Sequence, residues 1–372
     1  MRTKLLLIVL AGFLAISCTT SEESTELRYG NVEDEGDYEF KGDAADYFSN
    51  AQEYYGAGDY GRAMDQFYKL VQASPEHRPG RLGLSYSQYY VGLNMAYRGR
   101  LNEASRMVTK SEEGFKSLWN GKLGGDTTIE DDFNWKACLG LAMSERAIAS
   151  LEKMSIDLID SRLTGIKDTA KRNDALSRQA THSERRSHYL RESFNKLENL
   201  ARMDNAAPEV LLNLGDIYLI RGNEVAAERS YLQYLEIART SVETWNQRRL
   251  DAHKNFKTKK ELTQALGTMK SKEESATKKT VDVLVHLAEI KFSRKNWGDS
   301  LSYLKDAMDL DPERQALHVP MAECYDKLKN YDQALTHINQ FIQSSPSFSK
   351  NTQKAFRLRS QLIQKRGDKT NG

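Results

Sequence analysis

Histidine and cysteine are the side chains in this 372-residue chain with the most chemistry to offer, and their spacing offers little of it. His182 and His188 stand six apart, which on a helix sets them roughly 120° apart, so they do not make a helical metal pair. His318 and His337 fall at apolar helix positions and are expected to pack. Cys138 and Cys324 each lie on an apolar helical face with no CxxC and no partner close in sequence, the pattern of buried small hydrophobes. There is no HExxH, no GxSxG and no glycine-rich phosphate loop followed by Lys and Ser or Thr. Gly121, Gly124, Gly125 and Asp126 read as a loop between helical units. The expectation is a chain that is not an enzyme and holds no metal or cofactor. A net charge of +2 gives no global field for nucleic acid.

Cys18 is the exception. Arg2 and Lys4 precede the apolar run Leu5 to Ile16, which has the proportions of a secretory signal and is too short for a membrane span. Its ending, Ala15, Ile16, Ser17, Cys18, resembles the signal of bacterial lipoproteins, with Ala15 where that family more often has Leu. The resemblance implies that 1–17 is removed and that Cys18 is lipidated on its sulfur and new amino group. Such acyl chains would hold the protein to the cell envelope. Thr19 after the cysteine, in place of Asp, resembles the class sorted to the outer membrane, which implies its periplasmic face in a cell that has one. The alternatives are an ordinary signal peptide with a chance cysteine, or an uncleaved anchor. Between 18 and 43, Glu22, Glu23, Glu26, Glu33, Asp34, Glu35, Asp37 and Glu39 leave too little apolar surface to order a segment, so the stretch reads as an acidic tether.

The remaining chain must position any binding surface, and its composition, 28% charged with 6 prolines, suits a helical body. The clearest stretch is Pro208 to Ser241. Leu211, Leu214, Gly215 and Tyr218 fall at i, i+3, i+4 and i+7; Gly222 and Asn223 break the pattern; Ala227, Tyr231 and Tyr234 begin a second stripe. Two helices this short need copies on either side to bury their faces. Copies begin at Ala44, with Ala51, Tyr54 and Ala63 at matching places, at Ser85, with Gly92 and Ala104, and at Val281, with Ala288 and Ser300. Another follows 34 residues on, at Gln315, with Ala322 and Ala334. This pattern resembles the tetratricopeptide repeat, which implies an all-α superhelix of helix hairpins.

Two inserts interrupt the array. The unit whose first helix spans Phe133 to Ala147 finds its second helix only around Ser193, Leu197 and Leu200, an excess of about 41 residues over the usual spacing. A second excess precedes Val281. Both keep helical spacing, through Ile159, Leu163, Ile166 and Ala170 in one, and Trp245, Arg249, Ala252 and Phe256 in the other, where Thr258 and Glu261 could box a turn near Lys257. Each reads as a coiled-coil-like helical hairpin about 20 residues out and back, roughly 30 Å long. One interrupts a turn within a repeat and the other a turn between repeats, so the arms are expected on opposite edges. The expected division is 44–147 repeats, 148–188 first arm, 189–241 repeats, 242–280 second arm, 281–348 a repeat pair, 349–366 a capping helix and 367–372 a disordered tail.

By resemblance, the inner face made by first helices receives an extended peptide or a partner helix. The corresponding positions are Phe48, Gln52, Tyr55, Tyr86, Tyr89, Leu93 and Tyr97, then Asp216, Glu289 and Glu323. They imply an aromatic groove followed by a row of carboxylates suited to a basic partner. The alternative is that the tyrosines are core and the acids solvated. The second arm is basic toward its tip, with Arg248, Arg249, Lys254, Lys257, Lys259 and Lys260, which suits an anionic lipid or wall polymer, or merely a solvated helix face. The functional expectation is a lipid-anchored scaffold binding envelope proteins, with a wall- or polysaccharide-associated accessory protein as the alternative.

Overall fold

The computed structural model describes residues 44–119, 121, 129–203, 207–255, 259–344 and 350–370, and their side chains except at 129–132, 241–269, 271, 272, 275, 350, 351 and 368–370. Cys18, the tether, Gly124, Gly125, Asp126, Lys257 and the side chains of Arg248, Arg249, Lys254, Lys259 and Lys260 lie outside that description, as does the capping box at Thr258 and Glu261. The described residues are all-α, and the chain divides into two compact units, one ending at Arg221 and the next beginning at Gly222.

The first unit runs α1 (Ala44–Gly56), α2 (Tyr60–Ala73), α3 (Arg78–Tyr97), α4 (Leu101–Leu118), α5 (Ile129–Leu163), α6 (Thr169–Ala201) and α7 (Pro208–Ile220). Successive helices pack in pairs because the apolar stripes of each face its neighbours. Small residues let the axes approach: Ala51 and Ala63 are fully buried, and a Cβ added at Gly92 would meet the Val108 side chain at 2.6 Å. Between paired helices the chain turns through a left-handed residue, Gly58 (φ 74°) or Gly99 (φ 77°), a conformation open to glycine. Asp59 then caps α2, its carboxylate accepting the Arg62 N–H at 3.0 Å.

α3 starts seven residues before the Ser85 at which the second copy was expected. His77 Nδ1 accepts the Gly80 N–H at 3.0 Å and Pro79 sits in the first turn, where it has no amide to satisfy, so this start is favoured.

Ser193 Oγ donates to the Ala142 carbonyl at 2.6 Å across 51 residues, the same contact that Ser300 Oγ makes to Ala288 O at 2.8 Å across 12. Between the closing positions α5 and α6 continue outward as an antiparallel pair. Buried side chains end at Glu152 and resume at Leu190, and between them the limbs carry only half-buried and exposed side chains, apolar Ile156, Ile159 and Leu163 together with polar Gln179 and His182. Gln179 Nε2 donates to Asp160 Oδ1 at 2.5 Å, and Glu152 binds His182 and, at 3.1 Å, Arg185. The helical spacing expected to run through Ile166 does not: α5 stops at Leu163 and Ile166 is in the turn, because Asp168 caps α6 by accepting the Lys171 N–H at 3.0 Å.

The second unit runs α8 (Glu224–Asn255), α9 (Lys259–Ser293), α10 (Trp297–Leu310), a 3₁₀ turn (Gln315–Leu317), α11 (His318–Lys327), α12 (Tyr331–Ser344) and α13 (Lys350–Thr370). The Pro208–Ser241 repeat is therefore shared: its first helix ends one unit and its second begins the other. Lys295 (φ 63°) and Lys329 (φ 60°) occupy the left-handed place that glycine holds in the first unit. α13 packs Ala355 and Leu362 against Ala322, Ala334, Ile338 and Phe341. It runs to Thr370, through most of the 367–372 tail expected to lack structure.

Candidate functional site

In the first unit the inner-face positions come from α1, α3, α5 and α7, and burial sorts them. Gln52 and Tyr97 are exposed, Tyr97 by 48%, while Phe48 and Leu93 are half-buried. Phe48 lies edge-on to Phe67 and His77, at 6.4 and 4.9 Å between ring centroids. Tyr55, Tyr86 and Tyr89 are each 3% exposed and form part of the core rather than a groove wall. The reason is size: next to Ala51 and Gly92 the helices close up, and a tyrosine one turn away fills the space between them. Tyr86 packs edge-on to Phe115 at 4.6 Å and its hydroxyl donates to the Lys136 carbonyl at 2.9 Å. Burial pushes Tyr86 well above the ordinary tyrosine range and also raises Tyr89, against the lowering effect of Arg146.

The partly open aromatic surface instead involves two half-buried tyrosines that were not among the expected groove positions. Tyr60 and Tyr90 stack at 4.5 Å with an interplanar angle of 19°, and Tyr55 meets Tyr60 at 5.2 Å.

Asp216 is not an open acid. It is 4% exposed and ion-paired with Arg146 of α5, whose guanidinium also meets Tyr89. A buried pair of this kind fixes which helices face each other and leaves no charge for a ligand. In the second unit Glu289 is half-buried with its carboxylate 3.3 Å from His286 Nδ1, and Glu323 accepts from Lys354 Nζ at 2.7 Å. Asp282 is held likewise by Arg314 at 2.7 Å. The expected row of carboxylates is thus largely neutralised by neighbours. Arg146 and Lys354 were the missing signals, and both are distant in sequence from the acids they bind.

At the base of the first arm, Glu145 Oε1 accepts from Lys196 Nζ at 2.8 Å, and Oε2 is buried without a hydrogen bond. Burial raises the Glu145 carboxyl to about 7, against the lowering effect of Lys196. Cys138 and Cys324 are buried free thiols, pushed up by burial to about 12 and about 11 and so held as unreactive thiols. His318 and His337 face each other, Nδ1 to Nδ1 at 2.9 Å, with Tyr325 stacked on His337. Among the described residues no group of three or more His, Cys, Asp or Glu is placed to hold a metal ion, and no helix is long and apolar enough to cross a membrane.

Residues 291–347, covering α10 to α12, match the tetratricopeptide repeat family. No curated protein matches the chain. Among solved structures, a thermophilic TPR protein of Thermus thermophilus is similar at 15% identity and a TM-score of 0.40, covering 76% of this chain and 98% of its own. An APC/C hetero-tetramer is similar at 14% identity and a TM-score of 0.36, covering 86% of this chain and 54% of its own.

Proposed function

From the premise that this chain carries tetratricopeptide repeats, helix hairpins whose arrays bind other proteins, we propose that it is a membrane-anchored scaffold of a bacterial cell envelope. The observation that carries the scaffold reading is the plan of the first unit. Rigid repeat helices close normally around Ser193 and Ala142 while an arm extends from the same two helices, so the body can hold one partner and the arm reach another. The open part of the inner face, with exposed Gln52 and Tyr97 and half-buried Leu93, supplies amphipathic contacts of the sort enriched at protein interfaces.

The anchor is Cys18, and the 18–43 segment tethers the body to the membrane. The supporting feature is the Ala15-Ile16-Ser17-Cys18 ending of the apolar run. The basic side chains of the second arm suit an anionic surface beside that membrane.

Crosslinking of the full chain in native envelopes, followed by mass spectrometry, tests the reading. The expected result is capture of discrete envelope proteins, weakened at least fivefold by Tyr97→Ala with Leu93→Ala, and a Cys18→Ser variant released from the membrane fraction. Retention of purified wall polysaccharide without protein partners would overturn the scaffold role, and unchanged membrane fractionation of Cys18→Ser would overturn the anchor.

A further inference from the structure

The outer face of α13 does not look like the plain polar cap that ends a repeat array. Its inner side is spent on the second unit's core through Ala355, Leu358 and Leu362, and its ends are held by Lys354 on Glu323 and by Lys365 on Asp326, each at 2.7 Å. Turned away from that core, Phe356 is 49% exposed and Ile363 45%. They stand seven residues apart with Ser360 between them, one stripe on one helical face, about 10 Å from anchor to anchor. Arg357 and Arg359 flank the stripe, both exposed and, among the described residues, in no ion pair. The helix as a whole carries seven basic residues and one acid, Asp368.

This composition narrows what can cover the stripe. A second α13 would bring like charges face to face, which is repulsive. A membrane surface favours a broad apolar face, whereas here two apolar side chains are separated by Ser360 and bordered by arginines. What fits is an acidic segment with a few large apolar side chains of its own. The chain contains one: from Val32 to Asp43, six acids (Glu33, Asp34, Glu35, Asp37, Glu39, Asp43) stand against one lysine, with Tyr38 and Phe40 among them.

We propose that the Phe356–Ile363 stripe of α13 receives the 32–43 segment of a second copy of this chain. Tyr38 and Phe40 supply the apolar contact and the carboxylates meet Arg357 and Arg359. Every copy carries both the stripe and the segment, so the contact is heterologous and joins copies head to tail. It goes beyond the scaffold reading above, because it concerns how copies meet rather than what the inner face binds. Charge dominates the contact, so it weakens as salt rises.

The test mixes full-length chain of ordinary isotopic composition with ¹⁵N-labelled chain and joins touching carboxylates and lysines with a carbodiimide. Mass spectrometry then separates links within a copy from links between copies. The internal Lys365–Asp326 link reports that the fold and the reagent are intact. The expected result is mixed-isotope links from the 33–43 carboxylates to Lys354 or Lys365. These should fall at least fivefold in 0.5 M salt, in Phe356→Ser with Ile363→Ser, and separately in Arg357→Glu with Arg359→Glu. Links confined to one isotope, links from the same carboxylates to Lys254, Lys257, Lys259 or Lys260 instead, or no links from 33–43 while Lys365–Asp326 persists would each overturn the proposal.

Discussion

At the scale of the residue, Glu145 lies within the helix expected over Phe133 to Ala147, and its environment comes from elsewhere in the chain. Its helix and face follow from periodicity, but its burial follows from α6 returning 51 residues later to put Lys196 beside it. In the unfolded chain a glutamate titrates near 4.5, and in the fold burial lifts Glu145 to about 7. Below about pH 4.5 both states are protonated. Between 4.5 and 7 the unfolded chain ionises first, so stability falls as pH rises, and above 7 both states are ionised and the loss is complete. Glu145→Gln should therefore flatten the decline of first-unit stability across this window, by on the order of 2 kcal/mol. Urea titrations at pH 4.5, 6 and 8 check it, and an unchanged slope would mean that Lys196 compensates the carboxylate fully. The tyrosines teach the same lesson. Tyr55, Tyr86 and Tyr89 occupy positions that line grooves in the resembling family, yet here they fill the gap beside Ala51 and Gly92.

At the scale of the element, the first arm is separable from the repeat that bears it. The Ser193–Ala142 contact joins positions 51 apart in the chain as the Ser300–Ala288 contact joins positions 12 apart. Beyond Glu152 and Leu190 no side chain of the two limbs is fully buried, so they contribute little to global stability. Replacing residues 156–179 with a short Asn-Gly turn should leave the first unit folded, with a midpoint within a few degrees of the parent. Loop-closure entropy favours the shorter connection slightly. Circular dichroism and calorimetry measure this, and loss of cooperative unfolding would show that the arm is part of the core. Within the first arm, hydrogen exchange should be fastest around the 164–168 turn, where side chains are exposed or half-buried.

At the scale of the molecule, two compact units predict two unfolding events. Each unit has its own core, one around Phe67, Phe115 and Leu139, the other including Ile338 and Phe341. Gly140→Val would drive a side chain into Phe115, whose ring lies 2.4 Å from the added Cβ, and should lower only the first unit's transition, by about 1–3 kcal/mol. Ile338→Ala should lower only the second's, by about 2–5 kcal/mol. Calorimetry of the two variants checks this, since a single transition moved equally by both would make the chain one cooperative body.

The sequence by itself determined the all-α repeat plan, because small residues 12 apart and a 3.6-residue apolar period leave few other ways to bury the stripes. Only the tertiary structure decided which polar and aromatic side chains remain available. Arg146 neutralises Asp216, Lys354 neutralises Glu323, and Tyr86 turns inward to Lys136. Each of these pairings joins positions far apart in the chain. Local spacing places a residue on a face, but burial and charge compensation depend on what the rest of the fold brings against that face.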